Sequence, residues 1–285
     1  MGGGSARWSD LLEMAKTAEA CGFDSLWVSD HLIFRFAGKD PQGVWECWSL
    51  LAALAAVTER IEIGPLVSCT SFRNPALLAK VADTVDEISG GRLILGLGAG
   101  WHEPEYAAFG YPFDRRVARF AEALTIVAGL LRHGEIDFSG EFYQARECEL
   151  RPRGPRASGP PLMIGATGDR MLRLTAEHAD IWNAWGVNDP AAVPALRDRV
   201  DAACIDIGRD PATLERTCTV LIDLDGRAGR PRETAPFLDG SAESIAETLR
   251  GHAREGITHI QIVLDPNTVA GVEQCARVLD YLDRP

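Results

Sequence analysis

The sequence predicts an α/β fold, a (β/α)8 TIM barrel in one domain over residues 1–285, with its first strand absent. Three observations carry this. Short β-branched or apolar runs alternate with helical patterns along the whole chain, the signature of βαβ units and a parallel sheet. The 285 residues and 46% apolar content suit one barrel with a large core. No composition shift marks a second domain.

The elements follow in order. Residues 9–21 place Leu11, Leu12, Ala15 and Ala18 at helical spacing, and Gly22 ends the helix. Residues 25–28 form a strand running into Ser29-Asp30-His31. A helix over 45–57 precedes a strand over 61–67, in which Pro65 forces irregularity. Asn74-Pro75 opens a helix through Ile88, with proline in the favoured first turn. Residues 92–97 are apolar throughout, as in a strand buried on both faces. A helix over 114–131 and an extended excursion over 135–150 come next. Then strands at 161–164, 181–183, 217–224 and 260–264 alternate with helices at 169–178, 191–207, 241–255 and 269–282, and 225–239 reads as a surface loop. That gives eight helices and seven strands. The missing strand belongs before the first helix, where the chain offers only Met1-Gly-Gly-Gly-Ser5; a late start or an irregular closure by residues 1–7 accounts for it.

Composition narrows the partners. A net charge of −12 argues against nucleic acid, whose phosphates demand a basic face. No apolar stretch approaches the ~20 residues of a membrane span, and residues 1–5 lack the features of a secretory signal. Seven scattered cysteines without C-x-x-C read as reduced, mostly buried thiols in a cytoplasmic protein. No metal site is expected; His102, Glu103 and Glu105 lack a metal-binding pattern, and a solvated loop is the expectation there.

Barrel chemistry gathers at the C-terminal ends of strands. This selects Asp30 and His31; Ser68, Cys69 and Thr70; Gly98, Ala99, Gly100, Trp101 and His102; Gly165 to Arg170; and residues 183–186. Because an unperturbed imidazole titrates near neutrality, His31 is the candidate for proton transfer, with Asp30 beside it to orient or tune it; satisfying nearby backbone is the rival role. Gly165, Ala166, Thr167, Gly168, Asp169 and Arg170 follow a strand and open a helix. Free N–H groups and a positive helix end there suit a phosphate; a tight turn with Asp169 as helix cap is the rival reading. The Gly96-Leu-Gly-Ala-Gly100 run has the wrong spacing for a dinucleotide fingerprint, but allows a flat ring to approach the backbone. Trp101 and Trp185, beyond strand ends, are candidate pocket walls.

These segments together resemble the luciferase-like monooxygenase family, in particular its deazaflavin-dependent oxidoreductase branch. The residues carrying the resemblance are Ala20-Cys-Gly-Phe-Asp-Ser-Leu-Trp-Val-Ser-Asp-His31, Thr58-Glu-Arg-Ile-Glu-Ile-Gly64, Phe72-Arg-Asn-Pro-Ala-Leu-Leu-Ala79, Ile88-Ser-Gly-Gly-Arg-Leu-Ile-Leu-Gly-Leu-Gly-Ala-Gly-Trp101, Glu105-Tyr106 with Phe109-Gly110, and Pro161 to Asn183. The resemblance implies coenzyme F420, or alternatively FMN, at the barrel mouth. It places the ring near Asp30 and His31, among Val67, Ser68, Cys69, Thr70, Gly98 to Trp101 and Tyr106, and the phosphate at Gly165 to Arg170. It also implies a non-prolyl cis peptide among Leu66, Val67 and Ser68 as a buttress. Relatives that oxidise a sugar phosphate carry Glu directly after the glycine run; Trp101 stands there, which argues against that substrate.

The leading expectation is an F420-dependent oxidoreductase moving hydride to or from a small organic substrate, as a homodimer. The alternatives are an FMN-dependent monooxygenase supplied by a separate reductase, and a non-catalytic ligand-binding barrel. Arginine-rich composition leans toward F420.

Overall fold

A computed structural model describes residues 6–224 and 237–283. Its elements run α1 (Trp8–Ala20), β1 (Ser25–Val28), β2 (Ile33–Phe34), β3 (Gln42–Gly43), α2 (Cys47–Val57), β4 (Glu62–Pro65), β5 (Ser68–Cys69), α3 (Pro75–Ser89) and β6 (Leu95–Gly98). They continue through α4 (Glu103–Phe109), α5 (Arg116–His133), β7 (Glu135–Ser139), β8 (Gln144–Glu149), β9 (Leu162–Gly165) and α6 (Asp169–His178). The last are β10 (Ile181–Ala184), α7 (Val193–Asp206), β11 (Glu215–Asp223), α8 (Ala242–Arg254), β12 (His259–Asp265) and α9 (Val269–Leu282). All seven expected strands and eight expected helices are present. The additions are α4, where the sequence suggested a solvated loop, and the two-residue strands β2, β3 and β5. The expected 225–239 loop falls largely outside the described residues, as do residues 1–5; the first described element is α1.

The chain divides into two compact units. The first, Trp27–Ile164, contains β4 paired with β1, and a parallel set β5–β6–β9 in register Ser68↔Leu97 and Leu95↔Leu162. An Ile63↔Leu93 bridge joins the two sets. Close strand approach demands glycine here: a Cβ on Gly96 would lie 2.2 Å from the Pro65 carbonyl oxygen, and one on Gly98 2.5 Å from the Val67 side chain. Between β4 and β5 the Leu66–Val67 peptide is cis, within the segment where the family resemblance implies one.

Local chemistry sets the helix ends. The Asn74 side chain accepts from the N–H groups of Ala76 and Leu77, Pro75 follows, and Gly90 closes α3 at φ 67°. Glu46 caps α2 by accepting from Trp48 N–H (3.2 Å) and Ser49 N–H (2.7 Å). Arg92 then staples the far end of α2, donating to the carbonyls of Ala55, Thr58, Ile61 and Ser89 and to Thr58 Oγ1 at 2.7–2.9 Å. The expected excursion over 135–150 is the antiparallel hairpin β7–β8.

The second unit, Ala6–Leu26 with Gly165–Pro285, is built on parallel β10–β11–β12. Helix α1 packs on α9, and α8 packs on α9. A buried polar layer lies across the three strands: the Asn183 amide donates to Thr217 Oγ1 (3.1 Å) and Gln261 Oε1 (2.7 Å), and Thr219 donates to Asn183 Oδ1 (3.3 Å). All seven cysteines are free, five of them buried.

Candidate active site

The residues with chemistry in the first unit lie after β1, around β5, and on the segment joining β6 to α4. The extended chain leaving β1 alternates sides, so Val28 and Asp30 are buried while Ser29 and His31 are partly exposed. Asp30 and His31 consequently have different partners.

Asp30 is anchored from four directions. Its carboxylate accepts from Ser68 Oγ (3.0 Å), the Cys69 N–H (2.9 Å) and both Arg73 amino groups (2.5 and 2.9 Å). Trp48 Nε1–H donates to Ser68 Oγ at 3.1 Å, and Arg73 also reaches Glu46 Oε1 at 2.7 Å. Burial works against the Arg73 charge, but Asp30 and Glu46 outweigh it and hold the proton more tightly than usual. Burial likewise raises Glu46, yet the bonds from Ser49, Arg73 and Trp48 win and keep it below its ordinary value. This network fixes β5 and the N-terminus of α2 to the end of β1. Asp30 has no bond to His31.

The partner of His31 is Glu105. His31 Nδ1 lies 2.9 Å from Glu105 Oε1, and the Leu32 N–H donates to Oε2 at 2.8 Å. Glu105 is 1% exposed, so both oxygens of a buried carboxylate are used. With the carboxylate ionised, Nδ1 carries the ring proton and Nε2 is left as the acceptor. Among the described residues nothing bonds to His31 Nε2. Glu105 comes from α4, 74 positions along the chain.

Helix α4 also corrects the solvated-loop expectation for 102–105. His102 is 4% exposed, and its Nε2 accepts the Arg35 N–H at 3.0 Å. Burial pushes its pKa below the ordinary imidazole value, against the pull of Glu105. The segment 32–35 is therefore held at two backbone N–H groups by side chains three positions apart on α4.

The glycine turn is fixed carbonyl by carbonyl. Thr70 Oγ1 donates to Gly98 O (3.5 Å), Tyr106 Oη to Ala99 O (3.0 Å), and Arg116 Nη1 to Gly100 O (2.6 Å). Tyr106 is fully buried and shares a bond with Cys69 Sγ at 3.0 Å. Burial raises the pKa of both groups, that of the Cys69 thiol to about 11. A Cβ on Gly100 would lie 1.9 Å from Tyr106 Oη, and its φ is +76°. Phe72 packs against Tyr106, closing a small core with Leu32, Tyr111 and Phe113. Val67, Ser68, Cys69, Thr70 and Gly98 to Trp101 thus converge with His31, Glu105 and Tyr106.

In the second unit, Gly165 and Ala166 are partly exposed and Thr167 to Arg170 exposed. Trp182 Nε1–H donates to Ala166 O at 2.8 Å. The N-cap of α6 is Gly168, with no side-chain cap. Asp169 is the first helical residue and pairs with Arg199 at 2.7 Å, which corrects the reading of Asp169 as the cap. Trp101 and Trp185, the expected pocket walls, are 58% and 53% exposed.

Parallel strands alternate with helices, and a strand-end histidine pairs with a buried carboxylate. The chain belongs to the luciferase-like monooxygenase family, which it matches over residues 1–262, a family of oxidoreductases and monooxygenases. It is 30% identical to a pyrimidine monooxygenase RutA of Caulobacter sp. (strain K31), covering 94% of this chain and 80% of that one. It is 29% identical to a 5,10-methylenetetrahydromethanopterin reductase of Archaeoglobus fulgidus, covering 80% and 64%. Among solved structures, an F420-dependent secondary alcohol dehydrogenase, bound to an F420–acetone adduct, superposes with TM-score 0.84 at 19% identity, covering 98% of this chain and 96% of that one. The F420-dependent tetrahydromethanopterin reductase of Methanopyrus kandleri gives 0.80 at 17% identity, covering 98% and 97%. These likenesses establish the fold class as the TIM barrel. No helix among the described residues is long and apolar enough to cross a membrane.

Proposed function

We propose that this chain is an oxidoreductase that moves hydride between coenzyme F420 and a small organic substrate, with His31 handling the accompanying proton. The observation that carries the reading is the His31–Glu105 pair: a partly exposed imidazole, its Nδ1 tied to a buried carboxylate and its Nε2 uncommitted. The family and the two F420-dependent structural neighbours support the cofactor class.

The first unit offers a seat for a flat tricyclic ring, and the second, separately, offers a seat for an anion. At α6 the first-turn N–H groups have no side-chain cap, and the space where a Gly168 Cβ would stand is open. That is the donor set an anion takes at a helix N-terminus. Gly98, Ala99 and Gly100 offer a strand-end turn whose carbonyls are already bonded, so its position does not depend on a ligand. Bound there, the cofactor supplies the two-electron acceptor or donor. His31 Nε2 takes the hydroxyl proton as a carbinol becomes a carbonyl, and returns it in the reverse direction. Glu105 holds the ring and balances the imidazolium. Asp30 positions β5 through Ser68 and Cys69 and takes no part in the proton step.

The second reading is an FMN-dependent monooxygenase with a separate reductase, favoured by the RutA monooxygenases among the relatives. Titrating the cofactor-free chain with F420 and with FMN, followed by cofactor fluorescence quenching, separates the two. Tighter F420 binding supports the leading reading, tighter FMN binding the second, and binding of neither overturns both. The proposed assembly is a homodimer. Exposed Leu77 and Ile88, eleven positions apart on one face of α3, supply apolar surface for it, and light scattering measures the mass.

A further inference from the structure

Five aromatic rings, His31 among them, close a circuit. Trp101 meets His102 at 5.0 Å between centroids, His102 meets Phe36 at 5.2 Å, and Phe36 stacks on Phe34 at 5.9 Å and 11°. Phe34 lies 4.3 Å from His31, and His31 returns edge-on to Trp101 at 5.6 Å. Two members are far from buried, Trp101 at 58% and Phe36 at 40% exposure. A wall built only to pack the 33–43 segment would bury these two rings. Large apolar surface left open beside a reactive group marks a binding face.

The polar atoms of the circuit are few and of one kind. His102 Nε2 is already an acceptor for Arg35 N–H, so the His102 proton sits on Nδ1. That N–H, the Trp101 Nε1–H and His31 Nε2 have no partner among the described residues. The one carboxylate, Glu105, is occupied by His31 and the Leu32 N–H. Nearby cations are committed elsewhere: Arg73 to Asp30 and Glu46, Arg116 to Gly100 and the Phe113 face. Arg35 is exposed, and its guanidinium makes no bond to any of the five rings among the described residues.

We propose that this circuit selects the substrate, and that the class it takes is a flat, conjugated carbonyl compound or its carbinol. Ring faces reward a flat π surface over a saturated one. Indole and imidazole N–H groups suit a carbonyl oxygen, and His31 Nε2 suits the hydroxyl of the reduced form. This deepens the proposed function and rests on His31 as its proton group.

The test is isothermal titration of the full chain, alone and with F420 or FMN, using two probes: acetophenone and cyclohexyl methyl ketone. Acetophenone should bind at least ~10-fold tighter than the saturated ketone, the scale set by one or two favourable ring contacts. Trp101→Leu and Phe36→Leu should each erase most of its advantage over the saturated ketone, while Trp101→Phe retains it. Thermal melting checks that the variants fold, and Phe36, being surface-exposed, is the safer of the two. Equal or tighter binding of the saturated ketone, or a preference indifferent to both leucine variants, would overturn the proposal. The ketone series is read with or without cofactor. Failure of cofactor binding would therefore overturn the proposed function while leaving the ring preference measured.

Discussion

Replacing Arg73 with methionine tests whether Asp30 is an anchor or a participant. The substitution removes two of four donors from a carboxylate whose side chain is 0% exposed, leaving Ser68 Oγ and the Cys69 N–H. Breaking a buried pair from one side costs ~3–5 kcal/mol, and about 4 is expected here. Asp30→Asn should cost less, about 3 kcal/mol, because Arg73 keeps Glu46, which is 43% exposed and partly screened. The double variant leaves no uncompensated charge at this pair and should cost about 4 kcal/mol rather than the sum of about 7, a coupling of about 3 kcal/mol. Urea unfolding of the four proteins measures each value. In thermal melts, Arg73→Met should lower Tm by about 12 °C at ~3 °C per kcal/mol. Additivity within about 0.5 kcal/mol, or a single-variant cost below about 1 kcal/mol, would refute the anchor. Below its melting temperature Asp30→Asn should keep turnover within ~10-fold of the parent, since it holds no transferring proton.

His31→Ala should leave cofactor affinity within a few-fold and cut turnover by ~100- to 10,000-fold, read in steady-state assays; unchanged turnover would remove the proton role. Gly100→Ala places a methyl against Tyr106 Oη and Cys69 Sγ at φ +76° and should cost at least ~2 kcal/mol, whereas Gly22→Ala, with open space at φ +90°, should cost about 1. Thiol titration of the native chain near pH 8 should modify Cys21 and Cys148 well before the buried Cys69, Cys218 and Cys275, whose pKa is pushed up to about 11, 12 and 12 by burial. The depressed values of buried His102 and partly buried His178 give stability that is full above the ordinary imidazole value of 6.5 and is lost as pH falls through their folded values; His102→Gln should flatten part of that slope in urea melts.

The seven strands and eight helices were legible because each carried a period and a punctuation mark: Asn74-Pro75 before α3, Gly90 after it, an all-apolar run for β6. Helix α4 carried neither clearly. Its seven residues are too short to show a 3.6 period, and Pro104 reads as a breaker although proline fits the first turn, where its missing N–H costs nothing. The network that β5 serves was equally hidden, since Glu46, Ser68 and Arg73 declare themselves only when Asp30 is seen to need four donors.

His31 was legible as a strand-end histidine; its partner was not, and the reason is geometric. Adjacency in sequence suggested Asp30, yet consecutive residues of an extended chain face opposite ways, so the next-door carboxylate is the one least able to reach the ring. The alternation of burial from Leu26 to His31 shows this in the structure. What the sequence could not supply was the replacement, because Glu105 arrives from a helix too short to read, 74 residues away. The same contact then explains the glycine turn. Glu105 can meet His31 only if α4 starts close to the end of β6, and that start is fixed by Tyr106, one residue on, bonding to Ala99 O through space only a glycine at position 100 leaves open. The Gly96–Gly100 run therefore builds the proton-handling pair as much as it admits a flat ring. Gly100→Ala should accordingly reduce turnover even in protein that remains folded.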